Sequence, residues 1–161
     1  MSKIYFCLIL CSLSLCLHAS TCPSGWMRNE NSCYFFSQDH EDWPTAMTMC
    51  HILGGKFVEI ESAAEGTFLA SMAMRFDKNY WIGLSDIQQE GVWIWMETKT
   101  PMSQTGYLNW HPDQPNNYDH KQNCATLNGN NYYGQWNDWH CSASNLPFIC
   151  EKPDGLPEIV G

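Results

Sequence analysis

The sequence predicts a mixed α+β domain held by disulfides, and three observations carry that expectation. Two segments bear helix-start signals, the first with a stop signal as well, several short runs have strand composition, and six cysteines remain once an apolar leader is set aside. A chain of 161 residues is long enough for one domain with its own core.

The leader comes first. Met1-Ser-Lys3 is followed by an apolar run from Ile4 to Leu17 and then by the small residues Ala19 and Ser20. A basic start, a short apolar segment and a small-residue boundary describe a secretory signal peptide over residues 1–20. The run of about 14 residues falls short of the roughly 20 that span a bilayer. The mature protein is therefore expected to be soluble, secreted and without membrane insertion. Cys7, Cys11 and Cys16 leave with the leader. Cys22, Cys33, Cys50, Cys124, Cys141 and Cys150 remain, an even set that in a secreted chain implies disulfides. None of them forms a C-x-x-C pair, which argues against a thiolate zinc site.

A domain over residues 21–152 follows, with 153–161 expected as a short disordered tail. Cys22 and Cys33 bracket a turn-bounded segment, and Tyr34 to Phe36 has strand composition, so a local hairpin closed by Cys22–Cys33 is the economical reading. Asp42-Trp43-Pro44 starts a helix, with proline in the first turn, and Gly54-Gly55 stops it. Lys56 to Ile60 reads as a strand. Ser62-Ala-Ala-Glu65 is a capping box that opens a second helix, with Phe68, Leu69 and Met72 on one face. Strand composition returns at Tyr80 to Leu84, at Gly91 to Trp95, at Cys124 to Leu127, at Tyr132-Tyr133 and at Pro147 to Cys150. Between Met96 and Lys121 the composition shifts to Pro, Asn, Asp, Gln, Gly and Thr. Connections of that length in a compact domain are usually functional.

The chemistry collects at the end of this long loop. Gln114-Pro115-Asn116 and Trp136-Asn137-Asp138 present side-chain oxygens, and the second piece ends in a carboxylate. Calcium takes six to eight oxygen ligands from carboxylates, amides and carbonyls, and these pieces could supply half of such a shell. Proline restricts its neighbours and can adopt a cis bond, which would turn Gln114 and Asn116 the same way.

Charge narrows the partners. Without Lys3 the chain has 7 basic residues against 17 acidic, a formal charge of −10. That excludes nucleic acid as an expected partner, since phosphates demand a basic face. His111, His120 and His140 flank the loop pieces without a spacing that fixes a metal cluster. There is no Gly-x-Ser-x-Gly nucleophile elbow, and a shallow loop site does not suit a hydrolase, so no enzyme activity is expected.

In order and spacing, residues 22–151 resemble a C-type lectin-like domain. The resemblance rests on Cys22, Cys33, Cys50, Trp81-Ile-Gly-Leu84, Trp93-x-Trp95, Gln114-Pro-Asn116, Cys124, Trp136-Asn-Asp138, Cys141 and Cys150. It implies an α+β fold with two helices, two small antiparallel sheets and a long loop bearing one calcium site. It also implies the pairings Cys22–Cys33, Cys50–Cys150 and Cys124–Cys141, the first marking the long form of the domain. By the same likeness Ca2+ would be held by Gln114, Asn116, Gln122, Asn137 and Asp138, and those groups would also bind two sugar hydroxyls. Tyr118 would stack on the sugar, as an aromatic does at that place in galactose-binding members.

The chain departs from the family pattern in two ways. Gln-Pro-Asn is a hybrid of Glu-Pro-Asn, associated with mannose-type sugars, and Gln-Pro-Asp, associated with galactose-type sugars. Gln122 stands where a glutamate is usual. Only Asp138 of the five expected ligands is anionic, so calcium affinity is expected near ~10⁻³ M or weaker. Asp113 and Asp119 lie close in sequence and could assist. A second family calcium site would need acids where Asn117 and Asn123 stand, although Asp86 and Glu90 match its other side, and it is not expected here.

Two functions compete. One is a secreted, calcium-dependent lectin that recognises galactose- or mannose-type glycans, microbial surface polysaccharides among them, in innate immunity, agglutinating if it forms a homo-oligomer. The other is an interaction or matrix protein that keeps the fold with weakened calcium and sugar binding, as related folds do in shell matrices, ice-binding proteins and venoms.

Overall fold

A computed structural model describes residues 22–155. The expected leader, with Cys7, Cys11 and Cys16, lies outside the described residues, as do residues 156–161 of the expected tail. Eight strands, two longer helices and a short third one follow in the order β1 (Met27–Asn29), β2 (Ser32–Phe36), α1 (Trp43–Ile52), β3 (Lys56–Phe57), α2 (Ala63–Phe76), β4 (Asn79–Ser85), β5 (Ile94–Trp95), α3 (Met102–Thr105), β6 (Cys124–Asn128), β7 (Trp136–Trp139) and β8 (Ile149–Pro153). They form two four-stranded antiparallel sheets, ordered β1-β2-β8-β3 and β5-β4-β6-β7.

Local chemistry explains the helices. The Asp42 side chain accepts the Thr45 N–H at 2.9 Å and Pro44 sits in the first turn, so α1 starts where the sequence places it. In α2 the Ser62 hydroxyl accepts the Glu65 N–H at 3.2 Å, but the reciprocal half of the capping box is rerouted. The Glu65 carboxylate takes the Glu61 N–H at 3.0 Å and the Tyr34 hydroxyl at 2.8 Å instead of the Ser62 N–H.

Several expected boundaries move, each for a visible reason. The strand expected over 56–60 ends at Phe57, because Val58 leaves the ladder to join the two sheets. Its N–H donates to Ile149 O at 3.1 Å and its carbonyl accepts from Gly83 at 2.8 Å. Gly83 has to be glycine here, since a Cβ would stand 2.9 Å from that same carbonyl. Tyr132-Tyr133 is a turn and not a strand, with Tyr133 in the left-handed region at φ 50° and its side chain exposed. The last strand starts at Ile149 and runs to Pro153, which pairs with Ser32. Asp154 is held as well, by its N–H to Asn31 O and its carboxylate to Arg28, so ordered chain reaches past the expected domain end at 152.

Disulfides join Cys22 to Cys33, Cys50 to Cys150 and Cys124 to Cys141. The second closes 100 residues of chain, and loop entropy makes a bridge of that span worth about 4–5 kcal/mol. One apolar cluster packs α2 and β4 against β6 and β7, and a smaller one packs α1 around the Cys50–Cys150 bridge. Among the described residues no helix is long and apolar enough to cross a membrane.

Candidate functional site

A tryptophan fixes the site. Trp136, fully buried at the start of β7, meets Trp95, Tyr107 and Trp110 edge-on, with ring centroids 5.6–5.8 Å apart. Tyr107 and Trp110 belong to the long loop, so their rings anchor that loop in the core. Backbone bonds finish the attachment: Trp136 N–H to Asn109 O at 2.7 Å and His111 N–H to Trp136 O at 2.9 Å. The two pieces singled out in the sequence are thereby brought side by side, one on the loop and one on β7.

Beyond His111 the loop folds on itself. The Gln114–Pro115 bond is cis. The Asn116 side-chain oxygen and the Gln122 side-chain oxygen both accept the Tyr118 N–H at 3.0 Å, and the Asn117 oxygen accepts the Gln122 N–H at 3.0 Å. Asp138 Oδ2 accepts the Asn117 N–H at 2.6 Å and ties this curl to the sheet.

The result is a cleft of about 420 Å³ lined by Gln114, Asn116, Tyr118, Gln122 and Asn137. Asp138 does not line it but lies fully buried beneath. Tyr118 is 70% exposed and free to present its ring. Asp113 and Asp119 stay out of the lining, and Asp119 pairs with Lys121 at 2.8 Å. Two lining residues were not anticipated, Tyr132 and Trp139, and His140, expected to flank the loop pieces, joins the lining as well. Trp139 carries a readable signal, because a strand that points Asn137 at the cleft points residue i+2 the same way. Tyr132 carries none, since it sits on a turn that strand propensity misassigns.

The oxygen set suits a hard cation. Gln114 Oε1 and Asp138 Oδ1 are buried without a hydrogen-bond partner, an arrangement costing roughly 1–3 kcal/mol per group unless something engages them. Among the described residues no three His, Cys, Asp or Glu side chains are grouped to hold a metal. A cation here would be bound by amide oxygens around one carboxylate. Nearby, Asp86 Oδ1 and Asn123 Oδ1 are also buried and unpartnered. Burial pushes the Asp86 carboxyl above the usual range, the Gly91 N–H opposes this, and the charges of Glu90 and Asp138 add to it. His111 lies against the Tyr132 ring at 4.0 Å between centroids, and His140 joins the cleft wall.

Comparison with known proteins agrees with this architecture. The family model described as Lectin C-type domain matches residues 39–152. A perlucin-like protein of Mytilus galloprovincialis is 32% identical over 145 residues, covering 88% of this chain and 90% of that protein. C-type lectin domain family 4 member M of Nomascus concolor is 36% identical over 132 residues, but this chain spans only 31% of its length. Among solved structures, the carbohydrate-recognition domain of the mouse scavenger receptor C-type lectin is 34% identical with a TM-score of 0.75, covering 84% of this chain and 99% of that one. The corresponding domain of cow CD23, determined in the presence of a GlcNAc2Man3 oligosaccharide, is 33% identical at the same TM-score, covering 85% and 99%.

Proposed function

The chain belongs to the C-type lectin domain family, a family of carbohydrate-binding domains and not of enzymes, and from that premise we propose a secreted, calcium-dependent lectin for galactose- or mannose-type glycans. The observation that carries the metal part is the pair of buried, unpartnered oxygens, Gln114 Oε1 in the cleft lining and Asp138 Oδ1 on the strand residue tied to the same loop through the Asn117 N–H. Calcium at that place would draw on Gln114, Asn116, Gln122, Asn137 and Asp138, and it would supply a fixed positive charge that polarises sugar hydroxyls. The amide N–H groups of Gln114, Asn116, Gln122 and Asn137 donate to the sugar and their oxygens accept from it, while the buried Asp138 carboxylate serves the cation and not the sugar. Tyr118, largely exposed at the rim, offers an apolar ring face to the sugar. With one anionic ligand among five, the site is weak, near ~10⁻³ M, in the range of extracellular modules. Secretion is supported by the six cysteines joined in three disulfides, a state kept in oxidising compartments. Microbial surface polysaccharides in innate recognition are the partners proposed, with agglutination if the chain forms a homo-oligomer.

One observation favours a second reading. Gln114-Pro-Asn116 lacks the acid that either form of the family motif carries, and Gln122 is neutral where a glutamate is usual, which suits an interaction or matrix protein with weakened calcium and sugar binding. Binding of the oxidised protein to mannose- and galactose-terminated glycans, in calcium and in a chelator, separates the two. Calcium-dependent binding that Asp138→Ala abolishes is expected. Binding that survives the chelator or that substitution sinks the metal site, and no binding at millimolar calcium leaves the second reading.

A further inference from the structure

We propose that this protein reads a chain of at least two neutral sugar residues, the second seated in an adjoining cleft on the outer face of β6 and β7. The inference rests on the lectin reading above and goes beyond it. The adjoining cleft has a volume of about 210 Å³ and shares Tyr132, Asn137 and Trp139 with the first. Asn128, Asn131 and Leu146 belong to it alone.

Register explains why a polar face lies there. Thr126 pairs with Asn137 and Cys124 with Trp139, so Thr126, Asn128, Asn137 and Trp139 fall on one side of the pleat, while Ala125, Leu127 and Trp136 face the core. Asn128 donates to Thr126 Oγ1 and Gln135 O and holds the face in shape, while the Asn131 and Asn137 amides beside the Tyr132 and Trp139 rings offer a pyranose donors and acceptors for its hydroxyls and an apolar face for its C–H groups. Among the described residues no charged side chain lines this cleft, which selects a neutral sugar over a uronic or sulfated one.

Size makes it a subsite. Independent small-molecule sites run from about 300 to 1,000 Å³, a range the first cleft reaches and the second does not. A ligand in the second is therefore the continuation of one held in the first, across their common wall. That wall is fixed before any ligand arrives. His111 covers one face of the Tyr132 ring, and the loop that carries Tyr132 is pinned at both ends. Gly129 N–H bonds both Lys78 O at 3.0 Å and Asn79 Oδ1 at 3.1 Å, and Gly134 N–H bonds Asn128 O at 2.6 Å. A Cβ on Gly129 would collide with the Ala73 carbonyl, so the loop seats directly on α2. Preorganisation of this kind spares the ordering cost of binding.

The test compares methyl α-mannoside with α1,2-mannobiose, and methyl β-galactoside with lactose, by calorimetry or competition on the full oxidised chain in calcium. For the terminal sugar that binds, the disaccharide is expected to bind about tenfold tighter than the monosaccharide. Asn131→Ala, on an exposed turn outside the first cleft, should bring that ratio to within about threefold and leave the monosaccharide affinity unchanged. Equal affinity for mono- and disaccharide in the wild type overturns the proposal, and so does a ratio that survives Asn131→Ala. Monosaccharide binding without a disaccharide gain refutes the subsite alone, whereas no binding of any of the four sugars refutes the lectin reading with it.

Discussion

Asp138 has two oxygens with different duties. Oδ2 takes the Asn117 N–H and holds the loop, while Oδ1 is buried without a partner beneath the cleft. The other proposed ligands, Gln114, Asn116, Gln122 and Asn137, carry no charge, so the electrostatic pull on a cation would come from one residue. Adding a carboxylate should therefore act strongly. Gln122→Glu is expected to tighten calcium by about tenfold, since ligand charge tunes such sites, and a calcium titration checks it. An unchanged affinity would show that Gln122 is not a ligand. Gln122 also accepts the Tyr118 N–H, which glutamate would preserve. Specificity is argued at the same scale. Asn116 brings donor and acceptor where aspartate would only accept, so Asn116→Asp should move relative affinity towards galactosides. Relative affinities that do not move in a competition assay would assign the choice to Tyr118, Tyr132 and Trp139.

Among the elements, α2 and the first sheet are joined by a carboxyl pair on a different surface from the cleft. Glu65, in the first turn of α2, accepts from Tyr34 of β2 and hydrogen-bonds Glu151 of β8, which in turn pairs with Lys56 of β3 at 2.7 Å. Burial raises the Glu151 carboxyl to about 8, with Glu65 adding and Lys56 opposing. Burial and the Glu65 charge also hold the Tyr34 hydroxyl far above its ordinary range. Unfolded, Glu151 would titrate near 4.5, so the folded chain binds this proton more tightly. Its stabilisation is complete below the unfolded value and is lost as pH rises through about 8. Urea unfolding across that window should show stability falling in the wild type and a flatter profile in Glu151→Gln. Parallel profiles would contradict the assignment. The helix starts are legible in the sequence because Asp42, Pro44 and Ser62 act within one turn. The second role of Glu65 is not, because its partners come from strands 31 and 86 residues away. Val58 is missed for a similar reason: its bonds go to two sheets, and local composition reports only one ladder.

For the molecule as a whole, the α+β class with three disulfides and two small antiparallel sheets is legible because it is written in cysteine spacing and contiguous motifs. The cleft is half legible. Gln114, Asn116 and Asn137 stand in contiguous motifs, but their meeting depends on Trp136 gathering Trp95, Tyr107 and Trp110 around it. Tyr132 joins only because the β6–β7 turn folds over α2 and brings its ring against His111. The central claim is that metal and sugar share one set of oxygens, and sharing imposes reciprocity: whatever factor calcium adds to sugar affinity, sugar must add to calcium affinity. Titrating calcium by calorimetry with and without a saturating glycoside tests this directly. The account predicts that the glycoside tightens calcium by the same factor that calcium tightens the glycoside. A calcium affinity that ignores the sugar would contradict it.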